Sequence, residues 1–305
     1  MSVDPYVVYP EGPWEHRMVA ANGSRFHLAI AGPDDDTAPL VLLLHGFPQF
    51  WWAWRHQLTS LAEAGHRVAA MDLRGYGGSD KPPGGYDIPL LADDVAGVIR
   101  SLGHRGAVVV GHGMGAVVAW SMPSLTPGVV RGVGVLGMPH PVYLTSLVLR
   151  TAPPRTLKLI ARVQAPWFPE RAITHGQLVS RVLDTWSAPG WRCPDTELYT
   201  AAMRLPFAAH SAMEQVRWLV RSTPRSDGRR FRSAISAPVR VPVLSLHGSA
   251  DGNLPPHAGR RDREMVSGSY TRIIIDGAGH FLPEEAPRQI TNTLTDWLGQ
   301  ISTPS

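Results

Sequence analysis

Residues 107–116 read AVVVGHGMGA. A short apolar run, Ala107–Val110, passes straight into Gly111-His112-Gly113-Met114-Gly115 and then into a helix-forming stretch, Ala116–Met122. A continuous apolar run of this length is the pattern of a strand buried on both faces. Three glycines within five residues let the chain reverse sharply and let strand and helix approach closely. The decade therefore predicts a strand, a tight turn and a helix, with the turn at the carboxyl edge of a parallel sheet.

Reading outward, the same alternation continues. Upstream lie a buried strand at Pro39–Leu44, a helix at Trp54–Ala64 closed by Gly65, a strand at Arg67–Leu73 and a helix at Asp87–Leu102 ended by Gly103. His16–Ala21 and Arg25–Ala31 read as a hairpin across Asn22-Gly23. Downstream, Val130–Leu136 is a further strand. After Pro139 the pattern changes: from Pro141 to about Val239 helical stretches are broken repeatedly by proline, and no strand is evident. Alternation returns at Val241–Leu246 and Arg272–Asp276, with a closing helix at Glu284–Leu298. The expectation is an α/β fold. A mostly parallel central sheet is covered by helices on both faces, with residues 1–138 and 241–305 as the core domain and 139–240 as an inserted helical lid. Its site should lie at the carboxyl ends of the strands.

Composition narrows the class. The chain has 305 residues, 44% hydrophobic and 18% charged, which suits a well-buried core and excludes disorder. The single Cys193 excludes a disulfide scaffold and a cysteine metal cluster. Met1 to Pro10 are neither basic nor followed by a long apolar run, and the apolar runs are too short to span a bilayer. These features predict a cytoplasmic protein without membrane partners. The net charge is +4, unevenly placed: residues 141–240 hold 15 Lys/Arg against 6 Asp/Glu. The basic residues are scattered among Pro, Trp and Leu without a basic run, which speaks against nucleic acid. No ligand cluster or dinucleotide fingerprint is present, so neither metal nor organic cofactor is expected. The expected partner is a small-molecule substrate, largely apolar given the Trp-, Leu- and Met-rich insert, bound by a monomer or homodimer.

Three loops that follow strands carry the chemistry. His45-Gly46-Phe47-Pro48 can turn sharply and aim backbone N–H groups into a pocket. Gly111–Gly115 is the second. The third is the pair formed by Asp251, in HGSAD at 247–251, and His280, in GAGHF at 277–281. Each has a bland alternative. Gly113 reads equally as a turn glycine, His280 as a satisfied core histidine, and Asp251, before Gly252-Asn253, as a turn residue.

In five ordered segments the chain resembles the α/β-hydrolase family, and most closely its epoxide hydrolase and dehalogenase-like branch. These are His45–Pro48 with Trp51–Arg55, the loop DLRGYGGSD at 72–80, the Gly111–Gly115 elbow, the Asp251 loop and the His280 loop. The resemblance covers about residues 15–138 and 241–300. It implies that Asp251 orients His280, that His280 acts as general base, and that the amides of Phe47 and Met114 form an oxyanion hole. It also exposes a departure. The family elbow is G-x-nucleophile-x-G, with Ser or Asp at the centre, whereas this chain has Gly113 there. His112 cannot replace it, because a neighbour on a sharp turn points elsewhere. A second departure concerns the branch's two lid tyrosines. The segment Trp218-Leu219-Val220-Arg221 has no Tyr before its Arg, leaving Tyr143 and Tyr199 as the tyrosines of the insert.

His45, Trp51, His112 and Tyr199 stand as candidate substrate contacts, with loop bracing or core packing as their alternatives. Three functions follow from this reading: a hydrolase in which His280 and Asp251 activate water directly, a non-hydrolytic binding protein or lyase- or cyclase-type relative, and a nucleophile-substituted hydrolase that traps substrate. The retained dyad favours readings that use it.

Overall fold

The computed structural model describes residues 3–34 and 39–302, and all residue-level statements below concern these. The outermost positions of the expected core, 1–2 and 303–305, lie outside them. Eight strands form one sheet: β1 (Glu15–Ala21), β2 (Ser24–Ala31), β3 (Leu40–Leu44), β4 (Arg67–Met71), β5 (Ala107–His112), β6 (Val130–Leu136), β7 (Val243–Gly248) and β8 (Tyr270–Ile275). Their spatial order is β1-β2-β4-β3-β5-β6-β7-β8. β1 and β2 pair antiparallel and β2 meets β4 antiparallel. Every pairing from β4 through β8 is parallel.

The sequence explains this layering. β3, β4 and β5 are buried along their whole length, as strands covered on both faces must be. Helices α1 (Arg55–Glu63), α2 (Ile88–Ser101) and α3 (Met114–Leu125) supply the cover. α2 starts where the Asp87 side chain accepts the Leu90 amide and Pro89 occupies its first turn. Seven helices then separate β6 from β7: α4 (Pro141–Thr151), α5 (Pro154–Val163), α6 (Phe168–Thr174), α7 (Leu178–Trp186), α8 (Thr196–Met203), α9 (Ala208–Arg221) and α10 (Ser226–Ala234). Proline opens three of them, at Pro141, Pro154 and Pro169, where its missing N–H would be unsatisfied anyway.

The structure departs from the sequence reading at the end of the chain. In place of one closing helix from Glu284 there are two, α11 (Leu282–Glu285) and α12 (Pro287–Ser302). Pro287 keeps Ala286 out of the helical region (φ −134°, ψ 52°) and so separates them. Likewise a 3₁₀ turn over Trp51–Trp54 precedes α1. No helix among the described residues is long and apolar enough to cross a membrane.

Candidate active site

β5 ends at His112 and α3 begins at Met114, so the reversal falls on Gly113, with φ +55° and ψ −118°. That conformation is strained for any residue with a Cβ. The flanking glycines answer to space instead. A Cβ on Gly111 would lie 2.2 Å from the Gly115 carbonyl oxygen, and one on Gly115 would lie 2.4 Å from that of Leu44. At Gly113 there is room: a Cβ would sit 3.3 Å from Gly46 Cα and 3.7 Å from His280 Nε2. The stability effect of a side chain here is therefore set by backbone strain, about 1–3 kcal/mol. The stiffer unfolded chain offsets about 0.4–1 kcal/mol of this. Gly113→Ser and Gly113→Asp are both expected to lower the melting temperature, since each adds a Cβ at this backbone conformation. Thermal unfolding of the three proteins at one pH checks this; unchanged or higher stability in both variants contradicts it.

The His280–Asp251 pair is built from two loops at the carboxyl ends of β7 and β8. His280 Nδ1 lies 2.9 Å from Asp251 Oδ2, so the imidazole donates its Nδ1 proton and turns the Nε2 lone pair toward Gly113. The other Asp251 oxygen accepts the amides of Asn253 (2.7 Å) and Leu254 (3.0 Å). His247 Nε2 stands 3.3 Å from Oδ2 and 3.0 Å from the Leu254 carbonyl. Burial alone would raise the Asp251 carboxyl; the neighbouring His280 and His247 outweigh it and hold the group well below the usual carboxylate range.

The base is also clamped through its backbone. The His280 amide donates to the Trp186 carbonyl at 3.0 Å, and the same carbonyl accepts the Gly252 amide at 3.0 Å. One carbonyl at the end of α7 thus joins the acid loop to the base loop. Its indole packs edge-on against the imidazole, 5.2 Å between centroids. The Glu285 carboxylate accepts the amides of Gly279 and Phe281, both at 2.8 Å, and that of Ala188 at 2.9 Å.

Over the dyad lies a cavity of about 380 Å³. Its inner end is formed by Phe47, Gly113, Met114 and His280, and its walls by mostly apolar side chains of α4, α5, α7, α9 and α10. The amides of Phe47 and Met114 donate to no protein group among the described residues. Leu219 and Val220 face the cavity, and no described tyrosine lines it. Tyr143 donates to Glu264 at 2.9 Å, under the Arg261 guanidinium.

Of the expected site residues, Gly113, Phe47, Met114 and His280 converge on the cavity, with Asp251 directly behind His280. The four expected substrate contacts do not line it. His45 is a brace, accepting the Leu73 amide at Nε2 (3.1 Å). Trp51 is core: its indole donates to the Val8 carbonyl and packs on Trp14 and His16. His112 donates Nε2–H to the His280 carbonyl at 2.8 Å, and burial pushes its pKa down to about 3, so it stays neutral. Tyr199 is wholly buried against Phe50, beside Arg55 and Glu284. Sequence reasoning missed His247, Trp186 and Glu285. His247 had a visible signal, four residues before Asp251 at the end of a strand; Trp186 acts through its carbonyl and had none.

The comparisons with known proteins bear directly on this geometry. A model described as alpha/beta hydrolase fold matches residues 39–287. The chain belongs to the alpha/beta hydrolase fold family. It is 31% identical over 319 aligned residues to epoxide hydrolase A of Mycobacterium tuberculosis, covering 92% of this chain and 96% of that protein. It is 30% identical over 289 residues to the AB hydrolase superfamily protein YfhM of Bacillus subtilis, covering 92% and 97%. Among solved structures, epoxide hydrolase A of Mycobacterium thermoresistibile superposes with a TM-score of 0.80 at 27% identity, over 94% of this chain and 98% of that one. This member of the alpha/beta hydrolase family is epoxide hydrolase-like.

Proposed function

We propose that this protein is a hydrolase for a small, largely apolar substrate, in which His280, oriented by Asp251, draws a proton from water as that water attacks. The substrate oxygen that gains charge is received by the amides of Phe47 and Met114, donors that need no particular side chain. The helices between β6 and β7 serve as the cap, residues 139–240, over a core of 1–138 and 241–305. Gly113 occupies the place of the family's covalent nucleophile, so substrate is never tethered to the chain.

The observation that supports this reading is the direction of the missing side chain. A Cβ on Gly113 would lie 3.7 Å from His280 Nε2, in a cavity also bordered by Phe47 and Met114, whose amides have no protein acceptor among the described residues. The base and the oxyanion donors face the same space whether or not a nucleophile stands between them. Losing a nucleophile leaves about 10³–10⁴-fold catalysis over water in a serine protease, which is the scale of rate this arrangement supports.

The test is a turnover screen on p-nitrophenyl esters and epoxides, followed by intact-mass spectrometry and peptide mapping during turnover. The expected outcome is slow, steady hydrolysis with no adduct on the peptide holding Gly111–Gly115. A mass shift there, or a burst of product equal to the protein present, overturns the reading. A second reading, a nucleophile-deficient binding protein, draws support from the cavity lining, which offers no described tyrosine to protonate an epoxide oxygen. Saturable binding of a compound that no assay finds converted distinguishes it.

A further inference from the structure

The space over Gly113 is walled by donors and opens on hydrocarbon. Gly113 caps the N-terminus of α3, twelve residues long, where the helix dipole favours negative charge; the Gly115 amide there is taken by the His45 carbonyl at 3.1 Å, which leaves the Met114 amide facing the space. The amides of Phe47 and Met114 border the cavity without a protein acceptor among the described residues. His280, 1% exposed, points Nε2 into the same space. No carboxylate competes there. Asp251 lies behind the imidazole with both oxygens occupied by His280, His247, Asn253 and Leu254. The neighbouring His112 is neutral and its Nε2 proton is committed to the His280 carbonyl. Two free amides are complementary to an anion, and the imidazole, whose Nε2 is an acceptor in the neutral form, joins them as a third donor when the acid brings its proton into the site. A few ångströms further on, Leu144, Val148, Leu159, Val216, Leu219 and Phe231 line the cavity with aliphatic and aromatic surface.

We propose that this site binds a carboxylic acid bearing an apolar tail, its carboxylate between the Phe47 and Met114 amides and His280 Nε2, its tail along the cavity. Gly113 makes the site by leaving the place of a side-chain carboxylate to one that arrives with the ligand. The inference rests on the hydrolase reading in one respect: it names the substrate as an ester whose hydrolysis leaves this acid in place, a product that must then dissociate. Tail length sets affinity. Each added methylene tightens binding by about fourfold until the tail fills the cavity.

Calorimetry on the full chain with hexanoate, octanoate and octan-1-ol tests it without any turnover. Octanoate is expected to bind more tightly than hexanoate, and at least about tenfold more tightly than the alcohol of equal tail, because its charged head accepts stronger hydrogen bonds. The His280 imidazole resonances should move with octanoate and stay in place with octan-1-ol. Gly113→Asp, which supplies a tethered carboxylate, should lose the preference for octanoate while still binding the alcohol, which also reports that the variant is folded. Equal affinity for acid and alcohol overturns the proposal, as does unaltered octanoate binding in alcohol-competent Gly113→Asp. If that variant binds neither, the His280 resonances of the parent decide. Octanoate binding without ester turnover refutes the hydrolase reading alone; ester turnover without octanoate preference refutes this one alone.

Discussion

His280→Ala is expected to reduce turnover by about 10²–10⁴-fold, the usual contribution of a positioned general base, while leaving substrate affinity nearly intact. In the proposed reaction the imidazole meets the water at one nitrogen, whereas the cavity is walled mainly by the inserted helices. Asp251→Asn should fall between parent and His280→Ala, since an amide can still bond Nδ1 but no longer enforces the tautomer that leaves Nε2 free. His112 is held neutral down to about pH 3, and Asp251 is ionised throughout the working range because its carboxyl is held far below normal. Neither His112 nor Asp251 therefore changes charge across the range in which turnover is measured, so neither shapes the profile. Steady-state kinetics of the three proteins between pH 5 and 9 measure both effects. Undiminished turnover in His280→Ala would place the chemistry elsewhere in the cavity.

The second large effect is on stability and lies outside the cavity. Asp262, in the 3₁₀ segment Pro256–Met265, is wholly buried; one carboxylate oxygen accepts the His140 amide at 3.0 Å and the other has no partner. Burial pushes its pKa up to about 7 from 3.8, and the His140 hydrogen bond, Arg272 and His247 pull the other way without offsetting it. Here the folded chain holds a proton that the unfolded chain releases above pH 3.8. Stability therefore declines as pH rises from about 4 to about 7 and stays reduced above that. A difference of this size corresponds to about 4 kcal/mol at most. Asp262→Asn keeps the acceptor for His140 and removes the charge. Relative to the parent, it should gain stability between pH 5 and pH 8 by up to about 3 kcal/mol, the part of that difference that falls above pH 5. Urea unfolding of both proteins at the two pH values reads the change; a constant offset contradicts it.

Much of this fold was legible because its central strands are buried on both faces. The apolar runs at β3, β5 and β6, each ending in glycine or a polar loop, fix the parallel layer and its carboxyl edge. Asp251 and His280 were legible for the same reason, since each follows a strand and lands at that edge. The inward faces of the inserted helices were not. Tyr199 offered an aromatic ring in a helical stretch, and nothing in its neighbourhood told cavity from core; it turned toward Phe50. His45 and His112 sat in the right loops, yet backbone partners consumed both rings. Contacts made by main-chain oxygens leave no mark in a sequence, so the Trp186 carbonyl was invisible until the chain was folded.

That carbonyl has a consequence for how molecules exchange with the cavity. Because it holds the Gly252 and His280 amides together, the roof is keyed into the floor, and lifting it would pull the acid and base loops apart. Leu149 and Val220 line the cavity while standing 71% and 39% exposed, and exposed side chains change rotamer in picoseconds to nanoseconds. A rotamer change at either side chain alters the edge of the cavity and leaves both hydrogen bonds of the Trp186 carbonyl in place. It does so while the catalytic pair stays assembled from one visit to the next.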